Sequence, residues 1–125
     1  MHDATECGVF GGLCEIAAHS RVGMRIDVDA MILQDEVKKT CECFGMYPYS
    51  SISEGTLLAT AHNNKAGAII RALARAGIPA SIAGEVVPAS QGMVVFENGK
   101  KRRLTHPGVD PFWGTFEKYL SKRRE

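Results

Sequence analysis

Met93-Val94-Val95-Phe96-Glu97-Asn98-Gly99-Lys100-Lys101-Arg102-Arg103-Leu104 reads as a β-hairpin: an apolar extended run, a two-residue turn, and a second run rich in Lys and Arg. Asn98-Gly99 supplies the two left-handed residues that the tightest hairpin turns require, so the turn itself sets the register of the two arms. Working outward, Val22, Met24 and Ile26 alternate with Gly23, Arg25 and Asp27, the period of a half-buried strand. Leu33, Val37, Cys41 and Phe44 recur at helical steps, and Gly45 stops that helix. Residues 56–61 predict another strand. Ala66, Ile69, Ile70, Leu73 and Ala74 form the face of a helix capped by Asn63 or Asn64 and closed by Gly77 and Pro79, and residues 80–87 return as a strand. Near the start, Val9, Leu13, Ile16 and Ala17 predict a helix with Asp3 or Thr5 as cap and Ser20 at its far end. Asp110-Pro111 reads as an N-cap followed by proline at the first helical position, opening a terminal helix with Phe112, Trp113, Phe116 and Leu120 on its buried side. Alternating helices and strands with a hairpin last predict an α+β fold, a two-layer α/β sandwich with helices on one face of a mixed sheet.

At 125 residues the chain is long enough for one ordinary core, and residues 1–125 are expected to form one domain. Hydrophobic residues at 45% and charged residues at 23% exclude a disordered or collagen-like chain. A formal charge of +1 favours neither nucleic acid nor an anionic membrane as partner. No apolar run approaches the roughly 20 residues that span a bilayer, and the first residues are polar and acidic, so a cytoplasmic location is expected. Cys7, Cys14, Cys41 and Cys43 crowd into the first third of the chain and read as reduced thiols. None of them has the Cys-x-x-Cys spacing of a structural zinc site, so no metal is expected to be held by them.

Three patches carry a resemblance. Met1-His2-Asp3-Ala4-Thr5-Glu6-Cys7-Gly8-Val9 resembles an Asp-x-Thr-x-Gly-Gly segment that leads into a helix, with Glu15 where that helix carries an acidic residue. Ser53-Glu54-Gly55-Thr56-Leu57-Leu58 is similar to an Asn-Glu-Gly-Lys-Leu segment opening a strand, and Ile82-Ala83-Gly84-Glu85-Val86-Val87 to an Ile-Gly-Glu-Val strand before a final hairpin. In this order the three resemble the carboxy-terminal domain of the PurM (AIR synthase-related) superfamily of ATP-dependent enzymes, and within it the members related to the hydrogenase maturation factor HypE.

The resemblance implies a two-domain parent protein using ATP and Mg2+, in which phosphate transfer activates an oxygen of a small-molecule or protein substrate. The partner it implies is an amino-terminal ATP-binding domain that precedes the first motif, so the chain is expected to be a fragment of a longer protein. It also implies ligand or phosphate contact by Asp3, Thr5, Gly8 and Glu54, with His2 and Cys7 as further candidates and no catalytic residue assigned. Physical chemistry supplies two readings of the first motif: helix-start amides are a seat for phosphate, and Asp3 or Thr5 can equally do no more than cap the helix. Cys7 near a helix start is also a candidate nucleophile, because the dipole there lowers a thiol pKa.

Two departures from the pattern bear on function. Cys7 stands at the first glycine of the Gly-Gly pair, and the sequence ends Lys122-Arg123-Arg124-Glu125, without the terminal cysteine that HypE proteins present for modification. Both favour, as the alternative, a non-catalytic binding or regulatory module that keeps the fold. A homodimer is a third expectation. Lys100-Lys101-Arg102-Arg103, without interleaved aromatics, reads as protection of a sheet edge and not as a nucleic-acid site.

Overall fold

The computed structural model describes residues 1–122, so Arg123, Arg124 and Glu125 of the basic terminus lie outside the described residues. The order is β1 (His2–Ala4), α1 (Gly8–Ser20), β2 (Val22–Asp27), α2 (Asp35–Phe44), β3 (Thr56–Leu58), α3 (Asn63–Arg75), β4 (Gly84–Pro88), β5 (Met93–Glu97), β6 (Lys100–Arg103) and α4 (Pro111–Lys122), with short 3-10 turns between some of them. The fold is α+β with a mixed sheet, as the sequence predicts. Among the described residues, 1–16, 33–58 and 105–122 form one compact unit, and residues 17–32 and 59–104 form another.

The second unit holds a four-stranded sheet of order β4-β2-β5-β6. β2 runs parallel to β5 and antiparallel to β4, and β5 and β6 are the two arms of the hairpin. Met24, Ile26 and Val95 are buried and lie on one face, with Ile26 directly opposite Val95. Arg25 alternates to the other face and there meets Glu85 at 3.3 Å and Gln91 at 2.9 Å. Asn98 and Gly99 both have positive φ, at 50° and 72°, as the turn demands. The Asn98 amide also donates to both carboxylate oxygens of Asp29. β6 is the sheet edge and all four of its residues are exposed; Arg102 pairs with Glu97 at 3.4 Å, and the Lys101 ammonium lies over the Phe96 ring.

Several boundaries differ from the sequence-based expectation. The strand predicted over 80–87 is Gly84–Pro88, and the one predicted over 56–61 stops at Leu58. α3 begins at Asn63, but its N-cap is His62 and no side chain caps it, so neither Asn63 nor Asn64 does that work. On that helix Ile69 is exposed while Ala66, Ile70 and Leu73 are half-buried. α2 ends as expected, with Gly45 in the left-handed region and its amide donating to the last carbonyls.

In the first unit, β1 and β3 pair antiparallel, with His2 opposite Leu58, Asp3 opposite Leu57 and Ala4 opposite Thr56. The apolar centre of this unit is Phe10 of α1, which packs on Tyr47 and Tyr49 at ring distances of 5.7 and 6.0 Å. Val9, Leu13 and Ile16, expected to form the buried stripe, are only half-buried. The tertiary contact made by one large aromatic outweighs the periodicity of the smaller side chains. The predicted buried side of α4 is corrected as well: Phe112 is half-buried, but Trp113, Phe116 and Leu120 are exposed.

Candidate functional site

The first two sequence patches come together in the first unit. Asp3 does not cap α1; it sits in β1, and the chain turns between β1 and α1 through Cys7 and Gly8, whose φ angles are 59° and 58°. Two successive left-handed residues fold the segment back on itself, so that the Gly8 amide donates to the Thr5 carbonyl at 3.1 Å. The same carbonyl accepts from the Ser53 amide at 3.0 Å, which ties the Thr5 turn to the loop carrying Glu54. Ser53 in turn donates its hydroxyl to Thr56 at 3.1 Å. Gly8 is required here on two counts: its φ is positive, and a Cβ would run into the Ser51 and Tyr49 carbonyls. Cys7 holds a left-handed conformation without that freedom, a strained arrangement that something else must stabilise.

The stabilising group is Asp110, which is only 3% exposed. Its Oδ2 accepts from the Cys7 amide at 2.7 Å, and its Oδ1 accepts from the Phe112 amide at 2.8 Å. Asp110 is thus the N-cap that the sequence suggests for α4, but its second oxygen serves a residue far away in sequence. Two neighbours reinforce it: the Trp113 indole donates to Glu6 at 3.0 Å, and His106 approaches Glu15 at 3.7 Å. The amides of Cys7 and Gly8, offered by the sequence as a phosphate seat, are therefore already partnered by the chain itself.

His2 and Glu15 form the other half of the site. The His2 Nδ1 donates to the Asp3 carbonyl at 2.7 Å while Nε2 meets Glu15 at 2.6 Å. Both partners are acceptors, so the ring satisfies them fully only with a proton on each nitrogen. Accordingly the Asp3 carbonyl raises the His2 pKa, partial desolvation opposes it, and Glu15 and Asp3 add to the rise. Glu15 is shared between His2 and His106.

All four cysteines are free thiols, and Cys7 and Cys41 are buried. The Cys7 thiol is pushed up by burial first and then by the negative charges of Asp110, Glu6 and Glu15. The expected dipole-lowered nucleophile is thereby corrected: three carboxylates and a dry setting outweigh the helix start. Glu54 is exposed in the loop before β3. Among the described residues no group of three or more His, Cys, Asp or Glu could hold a metal ion, and no helix is long and apolar enough to cross a membrane. Two surface cavities of about 370 and 490 Å3 in the second unit are lined by none of the predicted site residues.

Sequence reasoning placed His2, Asp3, Thr5, Cys7, Gly8 and Glu54 as candidates, and all but Glu54 fall in the short β1–α1 segment. It missed Asp110, His106 and Trp113. The one signal for Asp110 was its place before Pro111, which gives the local cap and not the distant one.

Residues 1–97 match the family model described as AIR synthase related protein, C-terminal domain. The chain is 38% identical over 89 residues to carbamoyl dehydratase HypE of Rhizobium leguminosarum bv. viciae, covering 70% of this chain and 25% of that protein. It is 29% identical over 113 residues to carbamoyl dehydratase HypE of Escherichia coli K12, covering 89% of this chain and 34% of that one. Among solved structures, E. coli HypE, a hydrogenase maturation protein, superposes with a TM-score of 0.76 at 31% identity, over 88% of this chain and 36% of that chain. A HypE-HypF complex gives 0.74 at 27% identity, over 85% and 35%. The chain therefore spans about a quarter to a third of the length of the relatives it matches. With the model matched across most of its length, and with its first two motifs joined around Thr5, this chain belongs to the AIR synthase related protein family as a C-terminal domain.

Proposed function

We propose that the chain is the substrate- and phosphate-side half of an ATP-dependent, HypE-like protein, working beside an amino-terminal ATP-binding domain. The observation that carries this reading is the convergence of the two motifs: Thr5 and Ser53 are joined through one carbonyl, which puts Asp3, Thr5 and Gly8 on the same small sheet and turn as the loop of Glu54. In this reading Glu54, exposed at the strand mouth, contacts a donor group of the substrate, Thr5 and Asp3 line the approach, and Gly8 shapes the turn.

The residues present bear on the implied cofactors unequally. Mg2+ asks for several oxygen ligands. With no cluster of three acidic or histidine side chains among the described residues, most of them would come from the other domain. A phosphate at the Cys7 amide does not fit while the Asp110 carboxylate holds that position, because two anions cannot share one donor. No step is routed through that amide. What this chain's residues do is hold the Thr5 turn to the Ser53 loop and set the His2 ring against Glu15. The cytoplasmic setting belongs to the same reading and accords with four free thiols.

A specific observation favours a second reading. Asp110 covers the Cys7 amide, and a cysteine replaces the first glycine of the motif, so a non-catalytic or regulatory module that keeps the fold is the alternative. The test is to mix the purified chain with the amino-terminal domain of a HypE-like protein and follow ATP hydrolysis. The first reading expects turnover only in the mixture, reduced at least tenfold by Glu54→Gln. A mixture that forms a complex without turnover supports the second reading, and rapid turnover by the chain alone overturns the assignment of roles.

A further inference from the structure

We propose that the edge of β6 takes up an acidic, extended segment of a partner protein as an added strand. β6 closes one side of the four-stranded sheet, and all four of its residues are exposed. The hairpin fixes which way its backbone groups face. The Leu104 amide donates to the Met93 carbonyl at 3.0 Å. Hydrogen-bonded and non-hydrogen-bonded pairs alternate along an antiparallel ladder, so Val95 with Arg102 and Glu97 with Lys100 are bonded pairs in step with Met93 and Leu104. Lys101 and Arg103, opposite Phe96 and Val94, therefore turn their N–H and C=O groups away from β5. Among the described residues no strand lies on that side to meet them.

The same alternation sorts the side chains. Arg102 lies on the face of buried Val95 and pairs with Glu97 at 3.4 Å. Lys101 and Arg103 share the opposite face with Val94, Phe96 and Arg25. On that face Arg25 is matched by Glu85, and Asp27, opposite Phe96, accepts from the Asp29 amide. The Lys101 ammonium stands 5.9 Å from the Phe96 ring centroid, and Arg103 has no ion pair or side-chain hydrogen bond among the described residues. A cavity of about 490 Å3, lined in part by Ser90, Gln91, Met93, Lys101 and Arg103, opens beside the strand.

At every second position the edge thus presents a donor, an acceptor and a cation. A peptide strand with carboxylates at alternate positions matches all three, its acidic side chains lying on the face of Lys101 and Arg103. A nucleic acid leaves the two edge carbonyls unpaired, because phosphate oxygens only accept. A second copy of β6 sets cation against cation. The charges that keep the edge from indiscriminate pairing are in this way its filter. The inference does not depend on the ATP-dependent reading.

The probe is a fluorescein-labelled, end-capped heptapeptide in which glutamate alternates with valine. It is titrated with the full chain at low ionic strength and followed by fluorescence anisotropy, and amide hydrogen exchange of the chain is read by NMR with and without the peptide. Binding with a Kd of about 0.1 mM is expected for so short a strand. Exchange slows at Lys101 and Arg103 and changes little at Lys100 and Arg102, which already face β5. Lys101→Glu and, separately, Arg103→Glu weaken binding at least tenfold; because both side chains are exposed, far-ultraviolet circular dichroism stays that of the parent. The peptide with glutamine for glutamate also binds at least tenfold more weakly. Of two forms N-methylated at alternate residues in opposite phase, the one whose blocked amides face the edge loses binding and the other keeps it. No anisotropy change up to about 1 mM chain overturns the proposal. So do equal binding of the glutamine peptide, an equal response to the two N-methylated forms, and unchanged exchange at Lys101 and Arg103. Tighter binding of a short oligothymidylate than of the peptide assigns the cations to nucleic acid and likewise overturns it.

Discussion

Replacing Asp110 by alanine removes two hydrogen bonds at once, and the structure sets the size of the loss. The bond from the Cys7 amide to Oδ2 is 2.7 Å long, charge-assisted and buried, a class that contributes about 1.5–3 kcal/mol. The bond from the Phe112 amide to Oδ1 is an N-cap of α4, and losing a cap costs about 1 kcal/mol. Asp110→Ala is therefore expected to lose about 2.5–4 kcal/mol, more than half of it at the left-handed Cys7 turn. Asp110→Asn keeps a carbonyl acceptor for one amide but not for both, and falls between wild type and alanine. Urea unfolding gives the total. Amide hydrogen exchange at Cys7 and Phe112 apportions it, with Cys7 protection expected to fall sharply in the alanine variant. A loss below about 0.5 kcal/mol, the level of an ordinary surface substitution, with Cys7 exchange unchanged, would refute the argument that Asp110 holds this turn.

Other outcomes follow from the same geometry. His2 has a raised pKa in the folded chain, so its contribution to stability is full below its unfolded value near 6.5 and is lost as pH rises through the higher folded value; a His2 titration by NMR that shows no upward displacement, or one that Glu15→Gln leaves unaltered, contradicts this. Gly8→Ala places a Cβ against the Ser51 and Tyr49 carbonyls in a left-handed backbone, and is expected to cost at least 2 kcal/mol in a thermal or urea melt. Under native conditions a thiol reagent at pH 8 should label exposed Cys43 first and Cys7 and Cys41 last, because burial raises the latter two; mass spectrometry showing Cys7 modified as fast as Cys43 contradicts the corrected view of that residue.

Much of the chain was legible from nearest neighbours. The Asn98-Gly99 turn, the Gly45 stop, the alternation of Val22, Met24 and Ile26, and the Asp110-Pro111 start each follow from conformational preferences within four residues, and each appears in the structure where the sequence places it. The motifs around Thr5 and Glu54 were likewise visible as separate segments. What the sequence could not express was their pairing: β1 on β3, and the Thr5 carbonyl shared between Gly8 and Ser53, depend on where the intervening chain returns.

The same division explains the corrections. The amphipathic stripe of α4 has the right period for a buried face, yet Phe116 and Trp113 stay open, because period fixes which residues share a side and not what lies opposite it. Cys7 looked activated beside a helix start until Asp110, Glu6 and Glu15 were seen to surround it. Local sequence thus determined most of the elements and the segment in which the candidate residues cluster, since torsional preference and hydrogen bonding act over a few residues. Tertiary structure alone decided that a carboxylate 103 residues away would occupy the amide at its centre, because burial and electrostatics depend on distance in space.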